Sequence, residues 1–481
     1  MRKSRHALPS NRSGPNRARP RRGAPRELAL RAVLVALLTS TVACLPQGRF
    51  PGSLFRKSVK MAGSTMDKPQ LQTHRLANGL TVLLLENHTR PLVALDYWVR
   101  AGAADEPDSL NGVSHFLEHM AFKGNDEYGP AEIDRMIESV GGVWNAATSH
   151  DYTRFHVNVA SDFLPVATQA LYQIVCRAAI RPDETDRERQ VILEEYARKK
   201  DHPGGVLFEE LYAHAFRTGP YRYSVLGRPE TLETITAQRL RDYYQRHYAP
   251  ENCVLVVVGA VNMSDLLSAL AVTFDRDERR YAPLRSAIEP TAWAGGSSAT
   301  VTMDVQDAYL GLAWPAPSIE RRRDLYAFDV MGAILGDGRS SRLVRQIKEE
   351  RRLVSTIGAG FGHQRYETLL SVVATLDPEN LAEARQAIHD VCRTMTEGVS
   401  ARELNRAKRI IEADLLYSIE TNAGLARFHG EYHLLTGSTQ FAETYLDEIR
   451  RVTAAEVARV ARKYLVEEAP AEVVILPNPR P

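Results

Sequence analysis

Two stretches of this 481-residue chain carry the same order of strand and helix signals about 210 residues apart. LVALDYWVRAG (92–102) is an apolar run rich in strand formers that ends in glycine, and a helix carrying HFLEHM (115–120) follows it. VQDAYLGLAWPAP (305–317) repeats the strand, and DLYAFDVMGAIL (324–335) takes the place of that helix. The period is too long for a solenoid and reads as a diverged duplication. The expected fold is α+β: two homologous α/β-roll halves, each an antiparallel sheet with helices packed on it.

The first half, residues 68–275, opens with a hairpin, LQTHRL and LTVLLLEN around Asn78-Gly79, a strong short-range turn signal. A strand pair is expected over WNAATSHDYTRFHVNV (144–159), and helices over 130–140, around ATQALYQIVCRAAI and over ETDRERQVILEEYARKK, the last ending before DHPGG (201–205). Residues 276–298 are polar, hold Pro, Gly and Ser, and lack a sustained apolar period, as an interdomain linker does. The second half, 299–481, has no histidine pair to match HFLEH.

The first 43 residues differ from the rest: ten Lys or Arg against one acid, Glu27, and then the apolar stretch AVLVALLTSTVA (32–43). A basic region followed by an apolar run too short to span a bilayer is the pattern of a cleaved export signal. TVAC (41–44) resembles a bacterial lipoprotein signal with Cys44 as the lipid-bearing residue, although Thr41 stands where such signals usually carry Leu. Residues 44–67 then form a spacer, and the mature protein is periplasmic or anchored to a bacterial membrane. An Arg-rich, acid-poor leader also describes a mitochondrial transit peptide, which would place the protein in the matrix; the continuous apolar run favours export. Residues 1–43 carry +9 of charge, so the remainder sits near −7 against +2 for the whole chain. No basic footprint for nucleic acid is left. Four scattered cysteines without a CxxC exclude a disulfide scaffold or a cysteine-rich zinc module.

The chemistry is concentrated in HFLEH. Helical residues four apart stand on one face, so His115 and His119 can direct imidazoles at one ion, with Glu118 beside them. A catalytic zinc takes three protein ligands and keeps a water position, and a neighbouring carboxylate can remove the water's proton. The third ligand has to come from another helix. In ERQVILEEYARKK, Glu188 and Glu195 are seven apart and share a face, while Glu194 is turned away. One of the two is then a ligand and the other its hydrogen-bonding support; helical geometry alone does not rank them.

H-x-x-E-H is the inverted zincin motif. NGVSHFLEHMAFKG (111–124) closely resembles the active-site helix of the pitrilysin/insulinase-type zinc metallopeptidases, in particular the mitochondrial-processing-peptidase-like subfamily and its bacterial members. The resemblance continues through GGVWNAATSHDYTRFHV (141–157), ERQVILEEYARKKD (188–201), PYRYSVLG (220–227), YAPENCVLVVVG (248–259), LGDGRSSRL (335–343) and ELNRAKRIIEADLL (403–416). It implies one Zn2+ per chain on His115, His119 and Glu195, with Glu118 as general base and Glu188 as a supporting acid. It also implies that peptide substrate adds as a strand along Asn145, Ala146 and Ala147, a mode that suits extended, unfolded segments.

The chain departs from the pattern in its second half. Catalytic members carry an arginine and a tyrosine seven residues apart that contact substrate and help stabilise the oxyanion; in QIKEERRLVSTIGAG (346–360) Lys348 and Ser355 occupy those places. Lysine lacks the planar fork and serine the reach of a phenol. The resemblance therefore implies the zinc-bearing subunit of a heterodimer whose homologous partner supplies the Arg–Tyr pair. The alternatives are a noncatalytic chamber or scaffold subunit and an organellar processing peptidase β-type subunit.

Overall fold

The computed structural model describes residues 70–281 and 291–479. The leader expected over 1–43, Cys44 and the spacer to residue 67 lie outside the described residues.

The first sheet has six strands: β1 (Leu71–Arg75), β2 (Thr81–Glu86), β3 (Leu92–Val99), β4 (Val143–Thr148), β5 (Thr153–Ala160) and, after a short β6 (Phe216–Thr218) that lies elsewhere, β7 (Cys253–Gly259). Their spatial order is β1-β2-β7-β3-β5-β4. The short β8 (Ala292–Trp293) pairs with β6. The second sheet contains β9 (Ser298–Met303), β10 (Ala308–Ala316), β11 (Thr356–Gly360), β12 (Thr368–Leu376) and β13 (Ala471–Pro477), in the order β11-β12-β10-β13-β9. Five strands correspond one to one: β2, β7, β3, β5, β4 against β9, β13, β10, β12, β11. Each sheet is antiparallel except for a single parallel pair, β2 with β7 and β9 with β13. The duplication read from the strand–helix order is thus a duplication of topology, and the sheets are mixed rather than purely antiparallel.

Alternation is clean in β5, where Thr153, Phe155, Val157 and Val159 are buried and the residues between them half-buried. In β7 every residue is buried, as expected where both faces of a sheet are covered. The inner face packs on its own helices, Val113–Ala121 and Leu164–Cys176 among them. The outer face is covered from the other half: Leu83, Leu85, Trp98, Val254, Val256 and Val258 meet Ala426 and Leu434 of the helix Asn422–Thr436. The arrangement is reciprocal. Val206, Leu207 and Leu211 of the helix Pro203–Ala215, in the first half, pack on Ala313, Val373, Val473 and Ile475 of the second sheet. At the first crossing Gly430 lets the helix lie against Trp98, since a Cβ there would stand 2.1 Å from the indole Nε1.

The helix Pro182–Lys200 ends before DHPGG, as its sequence implied. Only Asp201 and His202 intervene: Pro203 opens the next helix, at the first-turn position where its missing N–H is harmless, and Gly204 and Gly205 are buried within it. Within the stretch read as a linker, Ala292–Trp293 is a short strand, and β9 begins at its last residue, Ser298. Cys176, Cys253 and Cys392 are buried and unpaired.

Candidate metal centre

The helix Val113–Ala121 buries Val113, Phe116, Leu117 and Met120 in the core of the first half. Its spacing then turns His115, Glu118 and His119 toward a cleft. The helix starts from Gly112, held at φ +97, where a side chain would collide with the Gly227 backbone at 2.7 Å. The free N–H groups of its first turn are met by Glu106, whose carboxylate accepts from Gly112 N (2.6 Å), Ser114 N (2.8 Å) and Asn111 Nδ2 (3.2 Å). Burial pushes the Glu106 carboxyl up to about 7 despite these donors. Nothing in the sequence pattern pointed to this residue.

The imidazole rings of His115 and His119 lie 4.6 Å apart. From the helix Pro182–Lys200, Glu195 Oε2 approaches His115 Nε2 at 3.8 Å and His119 Nε2 at 3.6 Å. One ligand atom from each of the three side chains falls within 4.8 Å of the others. Metal–ligand bonds of about 2.0–2.2 Å in a tetrahedron separate ligand atoms by roughly 3.3–3.5 Å, and the two separations from Glu195 to the imidazoles are within a few tenths of an ångström of that. Glu188 takes the other role, with Oε1 2.7 Å from His119 Nδ1 and Oε2 2.5 Å from Lys123 Nζ. That contact fixes the tautomer with hydrogen on Nδ1 and leaves Nε2 free to coordinate. Of the two glutamates left open by helical spacing, Glu195 is the one whose carboxylate approaches both Nε2 atoms. Glu194 is exposed.

The electrostatics suit a cation. Burial and the neighbouring His119 push His115 down to about 3, so it stays neutral with a lone pair to offer. Burial opposes a charge on His119, but the Glu188 hydrogen bond and the charges of Glu118 and Glu195 outweigh it and raise its pKa. Burial likewise lifts the Glu118 carboxyl to about 7. Its Oε2 is hydrogen-bonded by the hydroxyl of Thr148, the last residue of β4.

A cavity of about 600 Å³ opens over this centre, lined by His115, Glu118, His119 and Glu195 and by Ala146 and Ala147 of β4. β4 pairs only with β5 among the described residues, so its other edge faces outward. Asn145 is on the same strand, opposite His156, but does not line the cavity. The opposite wall comes from the second half, with Phe361, His363, Arg427 and Glu431. Sequence reasoning missed this wall entirely. Lys348, in the helical turn Val344–Glu350, and the exposed Ser355, whose hydroxyl donates to Thr375 O at 2.9 Å, are not on the cavity wall.

The family model described as insulinase (peptidase family M16) matches residues 81–228, and the one described as the peptidase M16 inactive domain matches 234–411. The second begins ahead of β7 and so straddles the two sheets. An uncharacterized zinc protease of Streptomyces coelicolor is 29% identical over 76% of this chain and 81% of its own length. One of Bacillus subtilis is 26% identical over 83% and 96%. Among solved structures, a protease from Helicobacter pylori superposes with a TM-score of 0.80 at 23% identity, covering 85% of this chain and 100% of that one. A peptidase M16 inactive domain from Pseudomonas fluorescens gives 0.78 at 22%, with the same coverage.

Proposed function

Since the chain belongs to the insulinase-type peptidase family M16, we propose that it is a zinc-dependent endopeptidase subunit acting on peptides or unfolded protein segments. The observation that carries this reading is the convergence of His115, His119 and Glu195, with Glu118 alongside, at the floor of a cavity bordered by an open strand edge. His115, His119 and Glu195 would hold the ion, which when bound supplies Lewis acidity and acidifies water. Glu118 takes the proton of the attacking water and passes it to the leaving nitrogen. Its carboxyl is lifted by burial to about 7, near the working pH of a general base. Thr148 holds one of its oxygens, so the base has one orientation. The free edge of β4 takes an extended segment by backbone hydrogen bonds, with Ala146 and Ala147 leaving room for its side chains.

Lys348 and Ser355 stand where active relatives carry arginine and tyrosine, and neither lines the cavity. A homologous partner subunit that brings such a pair would complete the oxyanion site; one donor of this kind is worth about 3–4 kcal/mol. The same two positions favour the second reading, a noncatalytic chamber subunit.

The test is metal analysis together with a quenched-peptide assay, on the chain alone and with an Arg–Tyr-bearing homologue. The expected results are one zinc per chain and a rate raised by the homologue. Glu118→Gln should lower turnover by about 10²–10⁴-fold with zinc content unchanged. A folded chain without zinc supports the scaffold reading. Full activity of the chain alone, unchanged by Lys348→Ala and Ser355→Ala, removes the partner requirement.

A further inference from the structure

One side chain of the half without metal ligands is tied to both segments that flank the metal centre. Arg365 follows the cavity-lining segment 360–364, and its guanidinium crosses to the first half. Nη2 lies 2.9 Å from both oxygens of Asp105, and Nε stands 3.5 Å from Asp151 Oδ1. The backbone N–H of Arg365 donates to Asp151 Oδ2 at 3.0 Å. The Tyr221 hydroxyl donates to the same carboxylate at 2.8 Å and accepts from Tyr366 N–H at 2.9 Å. The guanidinium also lies over the Tyr366 ring, 4.9 Å from its centre.

The two aspartates belong to the two segments that flank the metal centre. Asp105 precedes Glu106, which holds the first turn of the HFLEH helix through Gly112 and Ser114. Asp151 sits in the turn between β4 and β5, three residues beyond Thr148, the partner of Glu118. The segments are also joined by backbone bonds, Ala103 N–H to Ser149 O (3.1 Å) and Ala104 N–H to His150 O (2.8 Å). They run so close that a side chain at Gly102 would stand 2.4 Å from Ser149 O. The guanidinium stands between the two carboxylates, hydrogen-bonded to Asp105 through Nη2 and within ion-pair distance of Asp151, toward which its buried Nε makes no hydrogen bond.

We propose that Arg365 is a positioning residue for the metal centre. From the second half it clamps the segment that starts the histidine-bearing helix to the turn that ends β4, and so keeps the ligands and Glu118 in register. This rests on the zinc peptidase reading. It assigns the second half a direct part in a site whose ligands all lie in the first. Such a site tolerates displacements of only about 0.5 Å, and supporting contacts of this kind are typically worth about 10–100-fold in metal affinity or activity.

The experiment compares full-length wild type with Arg365→Gln, Arg365→Lys and Tyr221→Phe. Zinc affinity is read by chelator competition, kcat and KM on a quenched peptide, and folding by thermal melting. At a temperature where the variant is folded, Arg365→Gln should weaken zinc about 10-fold or more, with the activity loss in kcat rather than KM. Arg365→Lys should recover part of both. Adding Asp105→Asn to Arg365→Gln should bring little further loss, since the two changes remove one interaction. A purely structural fastener would lower the melting temperature alone. Zinc affinity and kcat of folded Arg365→Gln within about 2-fold of wild type, well short of the supporting-contact range, overturn the proposal. If Arg365→Gln does not fold, Arg365→Lys and Tyr221→Phe are judged by the same criterion. Wild type that neither binds zinc nor cleaves peptide, alone or with a partner, overturns the peptidase reading itself, a result separate from any Arg365 phenotype.

Discussion

Replacing Gly430 with alanine should destabilise the protein, against the direction of helix propensity. Gly430 is inside the helix Asn422–Thr436, where alanine is ordinarily better than glycine by about 1 kcal/mol. Here the added Cβ would stand 2.1 Å from Trp98 Nε1, 2.5 Å from Cε2 and 2.8 Å from Cδ1. Non-bonded heavy atoms rest near 3.5–4.0 Å, so the helix must lift by more than about 1 Å or the ring must swing. The ring has little freedom: Trp98 is 0% exposed, edge-on to Tyr152 at 4.8 Å, with the Arg154 guanidinium 5.2 Å from its centre. Lifting the helix would open the apolar contacts of Ala426 and Leu434 with β2, β3 and β7. Overpacking of this kind costs about 1–3 kcal/mol or more and outweighs the propensity gain. The assay is the denaturant midpoint of Gly430→Ala against Gly332→Ala. Gly332 is in the helix Arg322–Gly336 with nothing within 4 Å of its would-be Cβ, so alanine there should stabilise. A Gly430→Ala midpoint at or above that of wild type would refute the packing argument.

Glu188→Gln keeps the shape of the His119 contact but removes its charge, and should weaken zinc about 10–100-fold by chelator competition; unchanged affinity would take Glu188 out of the metal's support. Glu106 predicts a pH effect on metal-stripped protein. Its folded carboxyl sits at about 7 against 4.5 for the free group. The folded state therefore keeps a proton that the unfolded chain releases, and the contribution is full below about 4.5 and lost as pH rises through 7. One pKa unit is about 1.4 kcal/mol, so the whole change is at most about 3–4 kcal/mol. Stability of Glu106→Gln, measured by urea unfolding, should fall less steeply than wild type between pH 4.5 and 7; equal slopes would show that Glu106 does not titrate there.

What was legible in the sequence was whatever repeats at short range. HFLEH announces itself because four residues make one helical turn, and Glu188 and Glu195 because seven make nearly two. The hairpin at Asn78-Gly79 is a backbone requirement written into two residues, and it is seen as β1 and β2 paired from Leu71 with Leu85 to Arg75 with Thr81. The ranking of the two glutamates was not local, because it depends on which nitrogen of His119 each one faces. Glu106 looked like any acid in a loop; only the fold of residues 106–114 turns it onto the helix end. Arg365 is bound to Asp105 from 260 positions away, a distance no periodicity spans. Pro203-Gly204-Gly205 marks, in sequence, only the place where the preceding helix stops; that these residues also start a helix depends on close packing, since a Cβ on Gly205 would meet Lys199 O at 2.7 Å.

The exchange of helices between the halves sets an order of events during synthesis. The last strand of the first sheet ends at Gly259, and the helix that roofs its outer face begins at Asn422, more than 160 residues later. At about 5–20 residues per second, the ribosome needs roughly 10–30 s to deliver it. Through that interval Trp98, Leu83, Val254 and Val256 present an apolar surface with no native cover, one on which a chaperone or a second nascent chain can settle. A messenger cut short before the codon for Asn422 would leave that surface bare for good, and its product should go to the pellet or the protease.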